Sequence, residues 1–186
     1  MINKRIFNML GYVLLFLGVS MIFSAVWSYI DNSDDLTSIL NASLITSISG
    51  LFLIITTQIQ FLKISPYITI KDTDRVDLSH KDGYTLVTFS WVMMTIFGSL
   101  PFYFYGGPFE NYIDAFFESI SGLTTTGATI LAFEDYSNIP RGLMFWRSFI
   151  QFIGGIGIIV FSIAILPLMG FGGVQLFRAE VAGPVA

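Results

Sequence analysis

Cysteine is missing from the 186 residues, and histidine occurs once, as His80. Without cysteine the chain can form neither disulfides nor zinc–thiolate sites, and it has no thiol nucleophile. A single histidine excludes a histidine-based metal site and argues against a Ser-His-Asp triad. The sequence also has no HExxH motif and no paired aspartates arranged for catalysis. We therefore expect neither an enzyme nor a bound cofactor.

Charged residues are scarce as well, at 12% of the chain, whereas hydrophobic residues make up 54% and the mean hydropathy is +0.73. Soluble domains carry roughly 25% charged residues. A chain of this size cannot bury so many apolar side chains in one small core. With a net charge of −4 and only nine basic residues, it is also not expected to bind nucleic acid. The composition predicts an all-α integral membrane protein.

Four long stretches contain no acidic or basic residue: 6–30, 36–62, 83–109 and 148–177. Each exceeds the roughly 20 residues that cross a hydrocarbon core, and each is predicted to be a helix because a backbone in lipid must satisfy its own hydrogen bonds. Two basic residues precede the first stretch, as in a signal peptide. That stretch is too long for a signal sequence and no small-residue cleavage site follows, so we interpret it as a retained helix. The second stretch is rich in Ser, Thr, Asn and Gln, which favours a protein neighbour over lipid.

The segment 111–123 is also predicted to be helical, because its apolar residues recur at helical spacing. At 1.5 Å per residue it covers only about 20 Å, too little to cross the membrane. A threonine-rich stretch with one glycine follows, before the next spanning stretch. This order predicts a re-entrant segment, 111–133, that enters and leaves on the same side. Irregular backbone at membrane depth is tolerated only where it is buried in protein or lines a cavity.

The run SGLTTTGAT, residues 121–129, is the strongest functional candidate. A cation that leaves water needs replacement oxygens, which the backbone carbonyls of a short loop can supply. Glycine permits the unusual dihedral angles of such a loop, and the preceding helix directs its negative C-terminal end to the same place. An ordinary loop remains the alternative on these residues alone. The candidate ion-binding residues are Thr124, Thr125, Thr126, Gly127 and Ala128.

The charges predict an orientation with a cytoplasmic N-terminus. Seven of the nine basic residues would then lie inside: Lys4, Arg5, Lys63, Lys71, Arg75, Lys81 and Arg178. Eight of the thirteen acidic residues would lie outside: Asp31, Asp34, Asp35, Glu110, Asp114, Glu118, Glu134 and Asp135. An acidic outer face would raise the local concentration of cations.

Further residues stand out beside the threonine-rich run. Glu118 lies in the short helix, where a charge is costly unless paired, so we expect a structural partner there rather than an ion. Arg147 is expected to extend outward or to pair with an outer acid. Gly154, Gly155 and Gly157 favour close helix packing, with a flexible point near a pore as the alternative.

The stretch FFESISGLTTTGATIL, followed by NIPRGLMFWRSFIQFIGGIGIIVFSIAILPLMG, resembles the first pore repeat of the Trk-type potassium uptake proteins, which belong with the Ktr and plant HKT transporters. This resemblance implies four repeats, each a helix, a re-entrant pore helix with a filter loop, and a second helix. Two extra helices precede the first repeat in Trk members. The chain would then divide into a two-helix hairpin at 1–62, a cytoplasmic loop at 63–82, the first pore repeat at 83–177 and a cytoplasmic end at 178–186.

Within that repeat, the resemblance implies a first helix at 83–109, a pore helix at 111–123, a filter loop at 124–129 and a second helix at 143–170. Potassium would be bound at Thr125, Thr126 and Gly127, and Gly127 is the glycine that the family links to potassium preference. The loop lacks the TVGYG sequence of tetrameric potassium channels, so we expect less stringent selectivity. No cofactor is implied beyond the transported ion.

The implied function is potassium uptake across the inner membrane of a bacterium by a multi-pass protein. The implied partners are the lipid membrane, the remaining repeats, a peripheral cytoplasmic nucleotide-binding regulatory subunit, and a second copy in a homodimer of the complete transporter. Since one loop is a quarter of a filter, we expect the chain to belong to a longer polypeptide, with four assembled copies as the alternative. A non-transporting membrane scaffold is the alternative function.

Overall fold

The structure, a computed structural model, describes residues 4–64, 80–132, 136 and 138–165. Within these residues all regular secondary structure is helical, which confirms the predicted all-α class. The helices are α1 (Lys4–Asp31), α2 (Asp35–Ile64), α3 (His80–Gly98), α4 (Leu100–Tyr105), α5 (Tyr112–Leu123) and α6 (Arg141–Ile165), with a 3-10 turn at Gly107–Phe109.

Four stretches of the described residues are long and apolar enough to cross a membrane: Arg5–Asp31, Asp35–Ile59, Lys81–Tyr105 and Arg141–Val160. Each overlaps one of the four spans predicted from charge-free runs, although the last begins at Arg141, seven residues before the predicted run 148–177. The helix continues through Arg147 because this charge is paired with Glu118. Most of the predicted loop 63–82, the end of the predicted helix 143–170 and the whole predicted end 178–186 lie outside the described residues.

The third span is interrupted, although the sequence predicted one helix over 83–109. α3 ends at Gly98 and α4 begins at Leu100, one residue before Pro101. Proline has no N–H to donate to the helical ladder, so the ladder is broken there. The carbonyl of Gly98 accepts a hydrogen bond from the indole Nε1 of Trp146 at 2.9 Å, which ties α6 to this break. The last predicted turn is a separate 3-10 turn rather than α-helix.

α1 and α2 form a tightly packed hairpin. A Cβ placed on Gly50 would lie 2.7 Å from the carbonyl oxygen of Gly11, so the two backbones approach too closely for a side chain. Ser43 Oγ donates a hydrogen bond to the Gly18 carbonyl at 2.7 Å, and Asn8 Nδ2 donates one across the helix pair. Small residues and interhelical hydrogen bonds are the usual means of association in lipid. The prediction that the polar second helix packs against protein is confirmed.

The start of α6 lies at the end of the bundle where α1 meets α2, which we call the turn end. Arg141 pairs with Asp31 at 2.7 Å, and its guanidinium lies 5.2 Å from the centre of the Trp27 ring. A chain of aromatic contacts through Phe145 and Phe149 then continues along α6. α6 is thereby packed against the hairpin as well as against its own repeat.

Candidate functional site

The segment between α4 and α6 enters and leaves the bundle at the same end. α5 begins beside the end of α3, where Tyr112 Oη donates to the Ile96 carbonyl at 3.4 Å. Its last residue, Leu123, lies against Gly154, which is 13 residues after Arg141 and therefore about 20 Å along α6. The chain then returns to Arg141 at the turn end. This path has the re-entrant form that the sequence predicted.

The loop after α5 is a defined turn built on the helix end. The N–H groups of Thr126 and Gly127 both donate to the Ser121 carbonyl, at 3.0 and 3.3 Å, and the N–H of Thr125 donates to the Gly122 carbonyl at 2.9 Å. These bonds satisfy carbonyls that a helix C-terminus leaves without partners. The φ angles of Thr125 and Gly127 are +57° and +73°. A left-handed conformation is uncommon for a non-glycine residue, so Thr125 is held there by its surroundings.

The backbone oxygens of this loop fall into two groups. All five candidate residues, Thr124 to Ala128, are exposed on the surface of the chain. Within the described residues, no hydrogen bond is donated to the carbonyls of Thr124, Thr125 or Thr126. The Ala128 carbonyl accepts a bond from Ser121 Oγ at 2.6 Å, and the Gly127 carbonyl accepts one from Arg147 Nη2 at 3.4 Å. Three consecutive oxygens thus accept no hydrogen bond from the described residues, while the next two anchor the loop.

The threonine hydroxyls tie the loop to its helix. Thr124 Oγ1 donates to the Ile120 carbonyl at 2.8 Å and lies 2.8 Å from Thr126 Oγ1. These bonds fix the side chains on the helix side of the turn. The backbone carbonyls are therefore the better candidates for ion ligands than the hydroxyls of Thr124 and Thr126.

Glu118 is the centre of the contacts behind the loop. Its side chain is fully buried. Oε2 accepts hydrogen bonds from Thr129 Oγ1 at 3.0 Å and from the Ile130 N–H at 3.2 Å, and Oε1 is paired with Arg147 Nε. A buried charge is costly unless it is paired and hydrogen-bonded. The expectation that Glu118 has a structural partner is confirmed.

Arg147 connects α6 to the re-entrant segment through two contacts. It pairs with Glu118, and its second terminal nitrogen reaches the Gly127 carbonyl. Its side chain is 16% exposed, so it does not extend outward into solvent. Of the two alternatives predicted for Arg147, extension outward or pairing with an acid, the structure shows the pairing. The acid is Glu118, inside the re-entrant helix.

Gly154 provides the space in which α5 ends. A Cβ on this residue would lie 2.7 Å from the carbonyl carbon of Leu123, whereas one on Gly155 would lie 4.0 Å from the Thr125 methyl and one on Gly157 would lie 3.6 Å from Trp91. Close packing is therefore confirmed for Gly154. The other two glycines are in ordinary contact with their neighbours.

Two residues, one in the loop motif and one at the turn end, were not singled out individually from the sequence. Ser121 anchors the loop through its hydroxyl and its carbonyl, and Asp35 accepts a hydrogen bond from the N–H of Leu143 in α6 at 3.1 Å. The only indication of Ser121 in the sequence was its position inside the candidate motif 121–129. No local pattern connects Asp35 to a residue 108 positions later. Across the described ranges, no three His, Cys, Asp or Glu side chains cluster as metal ligands.

Comparison with known proteins gives consistent matches. The family described as "TrkH: Cation transport protein" matches residues 48–186. The chain is 48% identical over 109 residues to the Trk system potassium uptake protein TrkH of Vibrio parahaemolyticus, covering 59% of this chain and 22% of that protein. It is 46% identical over 112 residues to TrkH of Escherichia coli K12, covering 60% and 23%.

A solved structure also resembles the fold. The crystal structure of the potassium transporter TrkH from Vibrio parahaemolyticus matches with a TM-score of 0.75 and 31% identity, over 93% of this chain and 34% of that one. The alignments to the curated relatives span just under a quarter of those proteins' length.

Proposed function

Because the chain belongs to the TrkH family of cation transport proteins, we propose that it supplies one of the four filter loops of a bacterial potassium uptake protein. The observation that carries this proposal is that the carbonyls of the exposed residues Thr124, Thr125 and Thr126 accept no hydrogen bond from the described part of the chain. These residues lie beside the middle of α6. Oxygens that have no protein partner can replace part of the hydration shell of a monovalent cation. Gly127 and Ala128 complete the loop as its anchored end.

Gly127 is the residue proposed to set potassium preference. Its φ of +73° is readily adopted by glycine but strained for a residue with a side chain. The Gly127 carbonyl retains one lone pair beside the bond from Arg147. Potassium is accordingly assigned to the carbonyls of Thr125, Thr126 and Gly127.

We assign the chain to the bacterial inner membrane with the N-terminus in the cytoplasm. The turn end, where the re-entrant segment begins and ends, carries the exposed acids Asp31 and Asp34. Basic residues favour the cytoplasmic side, and acids at the opposite end concentrate cations at the entrance. Both arguments favour a turn end that faces outside.

The assembly requires further protein around this loop. α5 exposes an apolar stripe of Ile113, Phe117 and Ile120, with exposed fractions of 71%, 41% and 37%. A re-entrant helix with such a stripe is expected to be covered by another pore repeat. We also assign the complete transporter a peripheral cytoplasmic nucleotide-binding regulatory subunit and a homodimeric state, both of which rest on the family alone.

The experiment that tests this function is Gly127→Ser in the transporter that contains this chain, produced in a bacterium that lacks other potassium uptake. We expect the preference for potassium over sodium to fall by about tenfold, a change of roughly 1.4 kcal/mol in relative barrier height. Uptake of both ions is measured at equal amounts of protein in the membrane. The matched control is Gly107→Ser, which also removes a left-handed glycine, with φ of +58°, but lies outside the loop.

Two results would contradict the proposal. Unchanged ion preference in Gly127→Ser would remove the loop from the filter. Absence of any potassium uptake by the unaltered protein, with normal accumulation in the membrane, would favour a non-transporting scaffold.

A further inference from the structure

Asp35 is a buried acid outside the filter. It is the first residue of α2 and its exposed fraction is 0%. Its Oδ2 accepts hydrogen bonds from Ser28 Oγ at 2.9 Å and from the Leu143 N–H at 3.1 Å, and its Oδ1 accepts one from Ser33 Oγ. In the described part of the chain, no basic side chain forms an ion pair with it. Burial of a carboxylate without a basic partner costs free energy, so the interactions that compensate for it indicate its role.

The charge of Asp35 is directed at the start of α6. Leu143 is the third residue of that helix, and its N–H is one of the donors that a helix N-terminus leaves unpaired. Carboxylates cap such donors and also interact favourably with the helix dipole. Here the cap comes from another helix, in the hairpin that precedes the repeat.

Gly142 shows how closely this contact is built. A Cβ on Gly142 would lie 2.6 Å from Asp35 Oδ2, and the Gly142 carbonyl accepts a hydrogen bond from Ser24 Oγ in α1. In the first turn of α6, one carbonyl therefore accepts a hydrogen bond from α1, and one N–H donates a hydrogen bond to α2. The position of this turn depends on the hairpin.

The next turn of α6 carries the arginine that contacts the filter loop. Arg147 follows Leu143 by four residues, one helical turn. Its guanidinium contacts Glu118 and the Gly127 carbonyl. One turn of helix thus separates the hydrogen bond to Asp35 from the residue that holds Gly127.

We propose that Asp35 is a positioning residue for the filter: it caps α6 from the neighbouring hairpin and so places Arg147 against Gly127. This inference rests on the proposed function and extends it, because it assigns the two helices ahead of the repeat a role in ion preference. Removing the cap frees the first turn of α6 and lets the guanidinium move away from the loop.

The test uses Asp35→Ala and Asp35→Asn in the complete transporter, with Asp34→Ala and Asp34→Asn as matched controls. Asp34 is the adjacent acid and is exposed, so its substitution makes the same change in charge without touching α6. Potassium and sodium uptake are compared at equal amounts of membrane protein. Hydrogen exchange of the amides of residues 142–147 is measured on the same proteins.

For Asp35→Ala we expect the preference for potassium over sodium to fall about threefold or more. Exchange in the first turn of α6 should rise about tenfold. Asp35→Asn retains one acceptor oxygen and should lie between alanine and the unaltered protein in both measurements. The Asp34 variants should keep the ion preference and the exchange rates of the unaltered protein, because an exposed charge attracts potassium and sodium alike.

A purely structural role for Asp35 would lower the amount of protein in the membrane and leave ion preference unchanged, and that result would overturn the inference. If the alanine variant does not accumulate, the asparagine variant decides: unchanged preference overturns the inference, and a reduced one supports it. Gly127→Ser separates the two proposals. If Gly127→Ser alters ion preference and the Asp35 variants do not, only the proposed role of Asp35 is wrong. If neither Gly127→Ser nor the Asp35 variants alter ion preference, the filter assignment is wrong.

Discussion

The carboxylate of Glu118 joins the helical and irregular parts of the re-entrant segment. One oxygen accepts hydrogen bonds from Thr129 and Ile130, at the end of the loop, and the other is paired with Arg147 of α6. A single buried side chain therefore fixes both the end of the loop and the arginine that contacts Gly127. The charge, and not only the shape, of Glu118 holds the arginine in place.

We expect Glu118→Gln to destabilise the chain by about 3 kcal/mol, because it leaves the Arg147 guanidinium largely buried without its counter-charge. The measurement is the midpoint of thermal unfolding of the purified protein in detergent. Glu110→Gln is the matched control, since it is the same substitution at an exposed acid shortly before α5. Equal midpoints for the two variants would show that the buried pair does not stabilise the loop.

At the residue scale, the sequence identified what the site contains but not how its groups are connected. The motif 121–129, Glu118 and Arg147 were all singled out. The division of the loop carbonyls into unbonded and anchored ones was not, because it depends on hydrogen bonds from Ser121 and Arg147. Such bonds are set by the three-dimensional path of the loop and leave no local pattern.

At the scale of elements, α6 serves as the support against which the re-entrant helix ends. Gly154 lies opposite Leu123, the last residue of α5. The glycines of α6 therefore differ in importance, although they stand close together in the sequence. Gly154 is in contact with backbone, and Gly155 faces only the methyl group of Thr125.

Gly154→Ala is expected to destabilise the protein by about 2 kcal/mol, because its Cβ would overlap the carbonyl group of Leu123 and displace the start of the loop. Thermal unfolding and potassium uptake are the two measurements. Gly155→Ala is the control, with the same gain in helix propensity and a nearest neighbour at 4.0 Å. A Gly154→Ala protein as stable as this control would show that the contact relaxes without cost.

Helix existence was predictable from the sequence, and helix interruptions were not. Charge-free runs located all four spans because a hydrocarbon core demands length and apolarity. The break at Ser99, between α3 and α4, follows from Pro101 together with the acceptor that Trp146 satisfies. Proline occurs within membrane helices that continue, so its sequence position alone did not determine a break.

At the scale of the whole molecule, the turn end gathers the start of α6, both ends of the re-entrant segment and the junction of α1 and α2. Arg141 pairs with Asp31 there, and Asp35 caps Leu143. The hairpin and the repeat therefore share one polar junction. The direction in which this junction faces determines the side from which the loop is reached.

The absence of cysteine makes that direction measurable. We expect the cysteine of Asp34→Cys to react with a membrane-impermeant maleimide in intact spheroplasts. The cysteine of Lys81→Cys should react only after the membrane is opened, because the two exposed residues lie at opposite ends of the bundle. The protein without an introduced cysteine gives the background. The reverse pattern of labelling would invert the proposed orientation.

The cap on α6 also has a consequence for biosynthesis. The Asp35 carboxylate emerges from the ribosome 108 residues before its partner Leu143, an interval of about 5 to 20 s at ordinary rates of translation. The closely packed pair α1 and α2 can associate within that time, with the acid still hydrated at the membrane surface. The hydrogen bond that joins this carboxylate to α6 can therefore form only after the last helix of the repeat has been made.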